Sequence, residues 1–334
     1  MSASAARPAR PTTEGSVAGP SIRSEGSLAG PSTTSAGAAL PLDTTVGHLL
    51  RRAQQVHTAL WSDEFAGDLT GPQYALLSAL TQGPVVDQGT AGRLASLDKS
   101  TAADVIARLE RNDWLHRQRH PSDGRRYLLS LTAPARAALE YMTPKAATVQ
   151  VRLLEPLAAQ DRGWFTKALA RVAYAGDPPA VSAEPGTARA LQMPVTPGHL
   201  LRRSEQLHGA AWARRVGAAL TPSQYGLLSG LAWNAPVDQS TAGDLASLDK
   251  SSTADIIARL LRRGLVARIP DDRDRRRKLV VLTDLARRVL DELTPAVERV
   301  QRDLVTPLTV AEGARLVDLL QVVAYRGRPD RGRA

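Results

Sequence analysis

Apolar residues recur at three- and four-residue spacing along most of the chain. Val46, Leu49, Leu50, Ala53, Val56, Leu60 and Trp61 mark one face of a first amphipathic helix. Thr70 caps a second, with Pro72 in its first turn and Tyr74, Leu76, Leu77 and Leu80 along it. Short helices are expected over about 90–97 and 100–112. The period then shortens to that of two strands, about 114–119 and 127–131, around a polar turn containing Pro121, Asp123 and Gly124. A long helix from about Pro134 and a last one over about 160–174 complete the order. Pro144 and Pro156 are expected to bend or break the chain.

The whole pattern then returns. Residues 47–174 and 198–325 align without a gap, 151 residues apart. The run Leu94-Ala95-Ser96-Leu97-Asp98-Lys99-Ser100 reappears as Leu245-Ala246-Ser247-Leu248-Asp249-Lys250-Ser251. A period this long means a duplicated domain rather than a solenoid. Most soluble dimers have two-fold symmetry, so a duplication can turn a dimer into one chain. Residues 1–43 are rich in Ser, Ala, Gly, Pro and Thr and read as a disordered tail. The divisions that follow are a first domain over 44–175, a Pro-containing linker over 176–195, a second domain over 196–326 and a basic tail over 327–334.

Charge narrows the partner. Lys and Arg number 43 against 33 Asp and Glu, giving a formal net charge of +10, which favours a polyanion over an acidic small substrate. The absence of cysteine excludes disulfides and thiolate metal sites. No run reaches membrane-spanning length and no secretory segment is seen, so a cytoplasmic location without membrane contact is expected.

Two short helices followed by a hairpin form a winged helix-turn-helix. The fold expected is mainly α with small β wings: two such domains joined by a helical layer of the dimerisation type. In the helix after Asp98, Ala102, Val105, Ile106 and Leu109 make the apolar face. Lys99, Ser100, Thr101, Asp104 and Arg108 lie at its start or on the other face, as do Lys250, Ser251, Ser252, Asp255 and Arg259 in the second copy. Short polar groups and a cation at a helix N-terminus suit a DNA groove, although a solvated amphipathic helix would look the same. The wings shift the balance. Asp123, Arg125 and Arg126 in one, and Asp274, Arg275 and Arg276 in the other, cluster arginines suited to the minor groove. Each aspartate is expected to hold an arginine fork in a fixed direction. The second wing carries more cations, so the C-terminal module is expected to bind phosphate more strongly, on an imperfect palindrome.

These motifs resemble the MarR family of bacterial transcription regulators. The resemblance rests on Leu69-Thr70 with Gln73, and Leu220-Thr221 with Gln224, opening the second helix. It rests also on Asp98-Lys99-Ser100-Thr101 before the recognition helix, and on an Asp-x-Arg-Arg wing ending in Leu131-Thr132 or Leu282-Thr283. One departure is the glycine usual soon after that Leu-Thr, replaced by Ala133-Pro134-Ala135 and Asp284-Leu285-Ala286. The resemblance implies a double-stranded DNA operator as partner, repression, and terminal helices that intertwine in a dimer. Here the linker of about 20 residues, able to span roughly 65 Å, would close an intramolecular pseudodimer. Two chains pairing domain by domain is the other arrangement.

The first helix of each copy carries an arginine, a histidine six residues on, and a tryptophan: Arg51, His57 and Trp61, then Arg202, His208 and Trp212. Spacing alone favours core histidines bonded to backbone, with arginines solvated or paired. The arrangement resembles the branch of the family that senses aromatic carboxylic acids, which also shares Asp87-Gln88-Gly89-Thr90 and Asp238-Gln239-Ser240-Thr241. By that resemblance these six residues contact a small aromatic carboxylate effector. An enzyme is disfavoured: there is no phosphate loop, nucleophile motif or metal spacing, and no cofactor is implied. A non-specific architectural DNA binder is the alternative to a regulator.

Overall fold

The computed structural model describes residues 39–82, 85–180, 190–274 and 276–326. Residues 1–38 of the expected tail, 181–189 of the linker, Arg275 and the basic tail 327–334 lie outside the described residues. The first copy runs α1 (Val46–Phe65), α2 (Gly71–Ala79), β1 (Val86–Asp87), α3 (Gln88–Leu94), α4 (Lys99–Arg111), β2 (Leu115–His120), β3 (Asp123–Leu131), α5 (Ala133–Leu154) and α6 (Ala159–Tyr174). The second repeats it as α7 (Pro197–Arg215), α8 (Pro222–Asn234), β4 (Val237–Asp238), α9 (Gln239–Leu245), α10 (Lys250–Arg262), β5 (Val266–Pro270), β6 (Lys278–Leu282), α11 (Asp284–Val305) and α12 (Val310–Tyr325).

Local chemistry sets the helix starts. Thr70 and Thr221 form full capping boxes with Gln73 and Gln224. Thr132 and Thr283 cap α5 and α11 at once, each accepting from an alanine amide three residues on. The missing glycine therefore does not delay the helix. Each wing gains a two-residue third strand too short to show a period: the sheets run β1-β3-β2 and β4-β6-β5, all antiparallel. Pro144 does not break α5, which runs through it with Leu139, Ala146, Val149 and Leu153 fully buried on both sides. Burial of that stripe outweighs the single backbone bond proline removes. Pro156, by contrast, sits in the turn between α5 and α6.

The first copy and the terminal helices of the second share one core, and the second reading head packs around another. α1 packs on α12 as α7 packs on α6, and α1 packs on α7. Leu49, Leu50, Phe165 and Leu169 of the first copy belong to one apolar cluster with Leu200, Leu201, Leu316, Leu320 and Val323 of the second. Ion pairs Arg171–Glu312 (2.9 Å) and Arg315–Asp161 (2.7 Å) join α6 and α12.

Each copy also sends an arm onto the other, and both arms begin before the expected divisions at 44 and 196. Ala39 is buried, the Leu40 amide donates to Tyr225 Oη at 3.3 Å, and the Leu40 carbonyl accepts from Ser229 Oγ. In the mirror arrangement Ala190 is buried, the Leu191 amide donates to Tyr74 Oη at 2.9 Å, and its carbonyl accepts from Ser78 Oγ at 2.6 Å. Arms with so few apolar positions show no period. They are ordered by backbone bonds to the opposite copy.

Candidate nucleic-acid interface and the cavities behind it

α4 and α10 present one exposed polar face each. Lys99, Ser100, Asp104 and Arg108 are exposed, as are Lys250, Ser251, Asp255 and Arg259; Thr101 and Ser252 are half-buried. Ala102, Val105, Ile106 and Leu109 are buried as their spacing implies. Asp98 caps α4, accepting from the Ser100 and Thr101 amides at 3.0 and 2.9 Å. It also accepts from both hydroxyls, at 2.6 and 2.5 Å. Ser251 and Ser252 turn to Asp249 in the same way. Four hydroxyls expected to face a partner thus donate inward and offer only lone pairs outward. Hydrogen bonds led by Ser100 hold the Asp98 carboxyl far below the usual carboxylate range, and those led by Ser252 do so for Asp249.

The wings differ from expectation in one respect. Asp123 and Asp274 accept from the backbone amides of Arg125 (3.1 Å) and Arg276 (3.0 Å), so they close the turn instead of holding a guanidinium. The fork that is held belongs to the next arginine. Arg126 pairs with Asp87 at 3.2 Å, and its counterpart Arg277 pairs with Asp238 at 2.6 Å. Both carboxylates cap the short helix α3 or α9, which ties each wing to its helix-turn-helix. Arg277 belongs to the Asp-x-Arg-Arg motif of the second wing, but its pairing with Asp238 crosses the sheet and no local spacing shows it. Arg125 and Arg276 remain exposed. His116 is exposed and His120 half-buried on the first wing, and no cluster of three metal-ligating residues occurs among the described residues.

Behind these heads lie two cavities, of about 180 and 260 Å³. Arg51 and His57 do not share one. Arg51 lines the smaller cavity with His208 and Trp212; Arg202 lines the larger with His57 and Trp61. Six residues turn a helix through 600°, which leaves two side chains on different faces. Across the α1–α7 contact each face meets the opposite copy. Both tryptophan walls are buried and braced: Trp61 Nε1 donates to the Leu69 carbonyl at 2.6 Å and Trp212 Nε1 to that of Leu220 at 2.7 Å.

The same arginines reach the turn of the opposite reading head. Arg51 Nη2 donates to the Ala246 carbonyl at 2.5 Å and lies 3.2 Å from His48 Nδ1. His48 Nε2 faces Ser247 Oγ at 3.3 Å, and Arg52 and Gln55 also bind Ser247, at 2.7 and 2.8 Å. In the other copy Arg202 Nη2 donates to the Ala95 carbonyl at 2.5 Å, while His199, Arg203 and Gln206 hold Ser96. Ser96 and Ser247 have φ of +50° and +52°, a left-handed backbone uncommon for serine, and these bonds hold it.

Burial keeps the histidines neutral. It lowers His57 and His208 to about 4 and His48 to about 3, with the facing arginines adding to the effect, and holds His199 well below its ordinary value. His57 packs on Gly198, where an added Cβ would lie 2.1 Å from Nε2; His208 packs on Gly47, at 2.3 Å. Only glycine leaves that space. Gly47→Ala or Gly198→Ala is expected to destabilise the full chain by about 1–3 kcal/mol. Thermal unfolding checks this; an unchanged midpoint would mean the imidazole has room to move.

Residues 69–127 match the MarR family model, and residues 220–277 match a second model of the same family. HosA of Escherichia coli O111:H-, a transcriptional regulator, is 34% identical over 118 residues, covering 35% of this chain and 87% of HosA. The chain belongs to the MarR family. It is a MarR-family transcriptional regulator, not an enzyme, and one copy of its repeat suffices to match a relative almost whole. The HTH-type transcriptional repressor NicR of Pseudomonas putida is 31% identical over 133 residues, covering 37% of this chain and 84% of NicR. Among solved structures, the PcaV transcriptional regulator of Streptomyces coelicolor in complex with its natural ligand is 36% identical. It covers 42% of this MarR-family chain and 99% of PcaV, with a TM-score of 0.39. No helix among the described residues is long and apolar enough to cross a membrane.

Proposed function

We propose that this MarR-family chain is a cytoplasmic repressor. It would grip a pseudopalindromic operator as a single-chain pseudodimer and release it when a small aromatic carboxylate enters the cavities. The observation that carries this reading is the double duty of Arg51 and Arg202. Each guanidinium lines a cavity and also holds the backbone of the opposite helix-turn-helix. A carboxylate that forks onto the arginine competes for the donors that hold that turn. The cavities are smaller than the roughly 300–1,000 Å³ of drug-sized sites, which fits a guest of about one ring. The name of NicR, a repressor, agrees with the sign of regulation.

In this reading the modules are 44–175 and 196–326. Lys99, Asp104 and Arg108 with Lys250, Asp255 and Arg259 meet base edges and phosphate. Ser100, Thr101, Ser251 and Ser252 order the helix starts. Arg125 and Arg276 enter the minor groove, and the more cationic second wing meets the stronger half-site. The test is footprinting on DNA upstream of the chain's own gene, with and without 3,4-dihydroxybenzoate or 4-hydroxycinnamate. A protected palindrome that survives excess unrelated DNA and disappears with the acid supports the proposal. Protection lost to unrelated DNA would mark an architectural binder instead.

A further inference from the structure

The two cavities occupy equivalent places but differ where charge counts. Position 54 is glutamine, and its counterpart 151 residues on is Glu205. Gln54 lines the Arg202 cavity, where no Asp or Glu contributes. Glu205, half-buried, lines the Arg51 cavity opposite that guanidinium. Burial raises the Glu205 carboxyl while Arg51 pulls it back, and Glu205 in turn supports the charge of Arg51. Burial lowers Arg202 to about 10, so it stays charged at neutral pH. The Arg51 cavity thus brings its own acidic group to its guanidinium, and the residues lining the Arg202 cavity bring none. A second difference points the same way. Arg51 Nη1 donates to Ser223 Oγ at 3.2 Å, whereas the counterpart of Ser223 is Pro72, which has no side-chain acceptor.

We propose that the chain is a one-site receptor for its anionic effector: the carboxylate binds in the Arg202 cavity, and Glu205 bars it from the Arg51 cavity. This rests on the effector reading above and adds which cavity responds. In a dimer of identical chains both cavities must be alike. Fusion removes that constraint, and the Gln54/Glu205 difference uses the freedom.

Calorimetric titration of the full chain near neutral pH, with 3,4-dihydroxybenzoate and 4-hydroxycinnamate as probes, tests the proposal. One acid per chain is expected. Glu205→Gln, which copies the native residue of the other cavity, should raise this to two. Gln54→Glu should weaken the native site by roughly a hundredfold, the weight of one poorly screened charge at close range. Arg202→Met should remove that site. Two equal sites in the wild type, a single site that survives Arg202→Met, or one site remaining in Glu205→Gln would each overturn the asymmetry while leaving the effector reading intact. No heat from the wild type with either acid would overturn the effector reading and this inference with it.

Discussion

Substituting Arg51 and Arg202 together by methionine is expected to abolish the effector response and to weaken operator binding by roughly ten- to a hundredfold. Methionine keeps much of the buried volume, so the change falls on the guanidinium bonds. Each arginine donates to a carbonyl at the turn between the two short helices of the opposite copy, Ala246 or Ala95. An unsatisfied buried acceptor costs about 1–3 kcal/mol, and here that cost bears on the turn that aims a recognition helix. Fluorescence anisotropy with labelled operator reads the affinity, and added phenolic acid reads the response. The companion double variant, Arg52→Met with Arg203→Met, separates the two roles. Those arginines bind Ser247 and Ser96 and stack over Tyr325 and Tyr174, but they do not line the cavities. It should loosen the grip on DNA and keep the affinity for the acid. If the Arg51/Arg202 variant still released DNA in response to the acid, the shared-arginine mechanism would be wrong.

What was legible in the chain follows the range of the interaction. The capping boxes at Thr70 and Thr221, the helix start at Asp98 and the apolar face of α4 are local, and their spacing alone places them. The winged helix-turn-helix order was legible for the same reason, twice over. The Asp123 and Asp274 carboxylates were misassigned because a side chain two residues before an arginine can reach either its amide or its guanidinium. The backbone amide is nearer, and the turn needs it. Arg126 and Arg277 find their acids across the sheet, at Asp87 and Asp238, where no sequence window connects them. The pairing of Arg51 with His208 and of Arg202 with His57 depends on how two copies cross. The spacing showed only that residues six apart do not share a helical stripe; it left open a pocket that both could border. The arms at 39–44 and 190–195 showed no period because each is held by only a few residues of the partner copy.

Acid is expected to open the fold well above the pH at which carboxylates usually fail. Consider the sign for a buried histidine. Its folded value, about 4 for His57 and His208 and about 3 for His48, lies below its unfolded value near 6.5. The unfolded chain therefore holds more protons between those limits. Stability is full above about pH 6.5 and falls as the pH drops toward 4, by roughly 1.4 kcal/mol per unit for each histidine. His199 shifts in the same direction, so four groups act together over one window. The facing arginines, Arg51 and Arg52 at His48 and Arg202 and Arg203 at His199, repel the new charges. Glu205 opposes them, since its raised value means the folded chain accepts its proton more readily, but it is one group against four. The depressed carboxyls of Asp98, Asp249, Asp87 and Asp238 lose their contribution only at lower pH. Against a typical total of about 5–15 kcal/mol, the histidines together account for a large part of the stability lost in that window. Urea unfolding followed by circular dichroism at successive pH values measures the slope. His57→Gln with His208→Gln removes two of the four protons without adding charge, and should roughly halve that slope between pH 6.5 and 4. An unchanged slope would place the acid sensitivity elsewhere. It would also mean that the imidazoles seated on Gly198 and Gly47 accept protons in the folded chain.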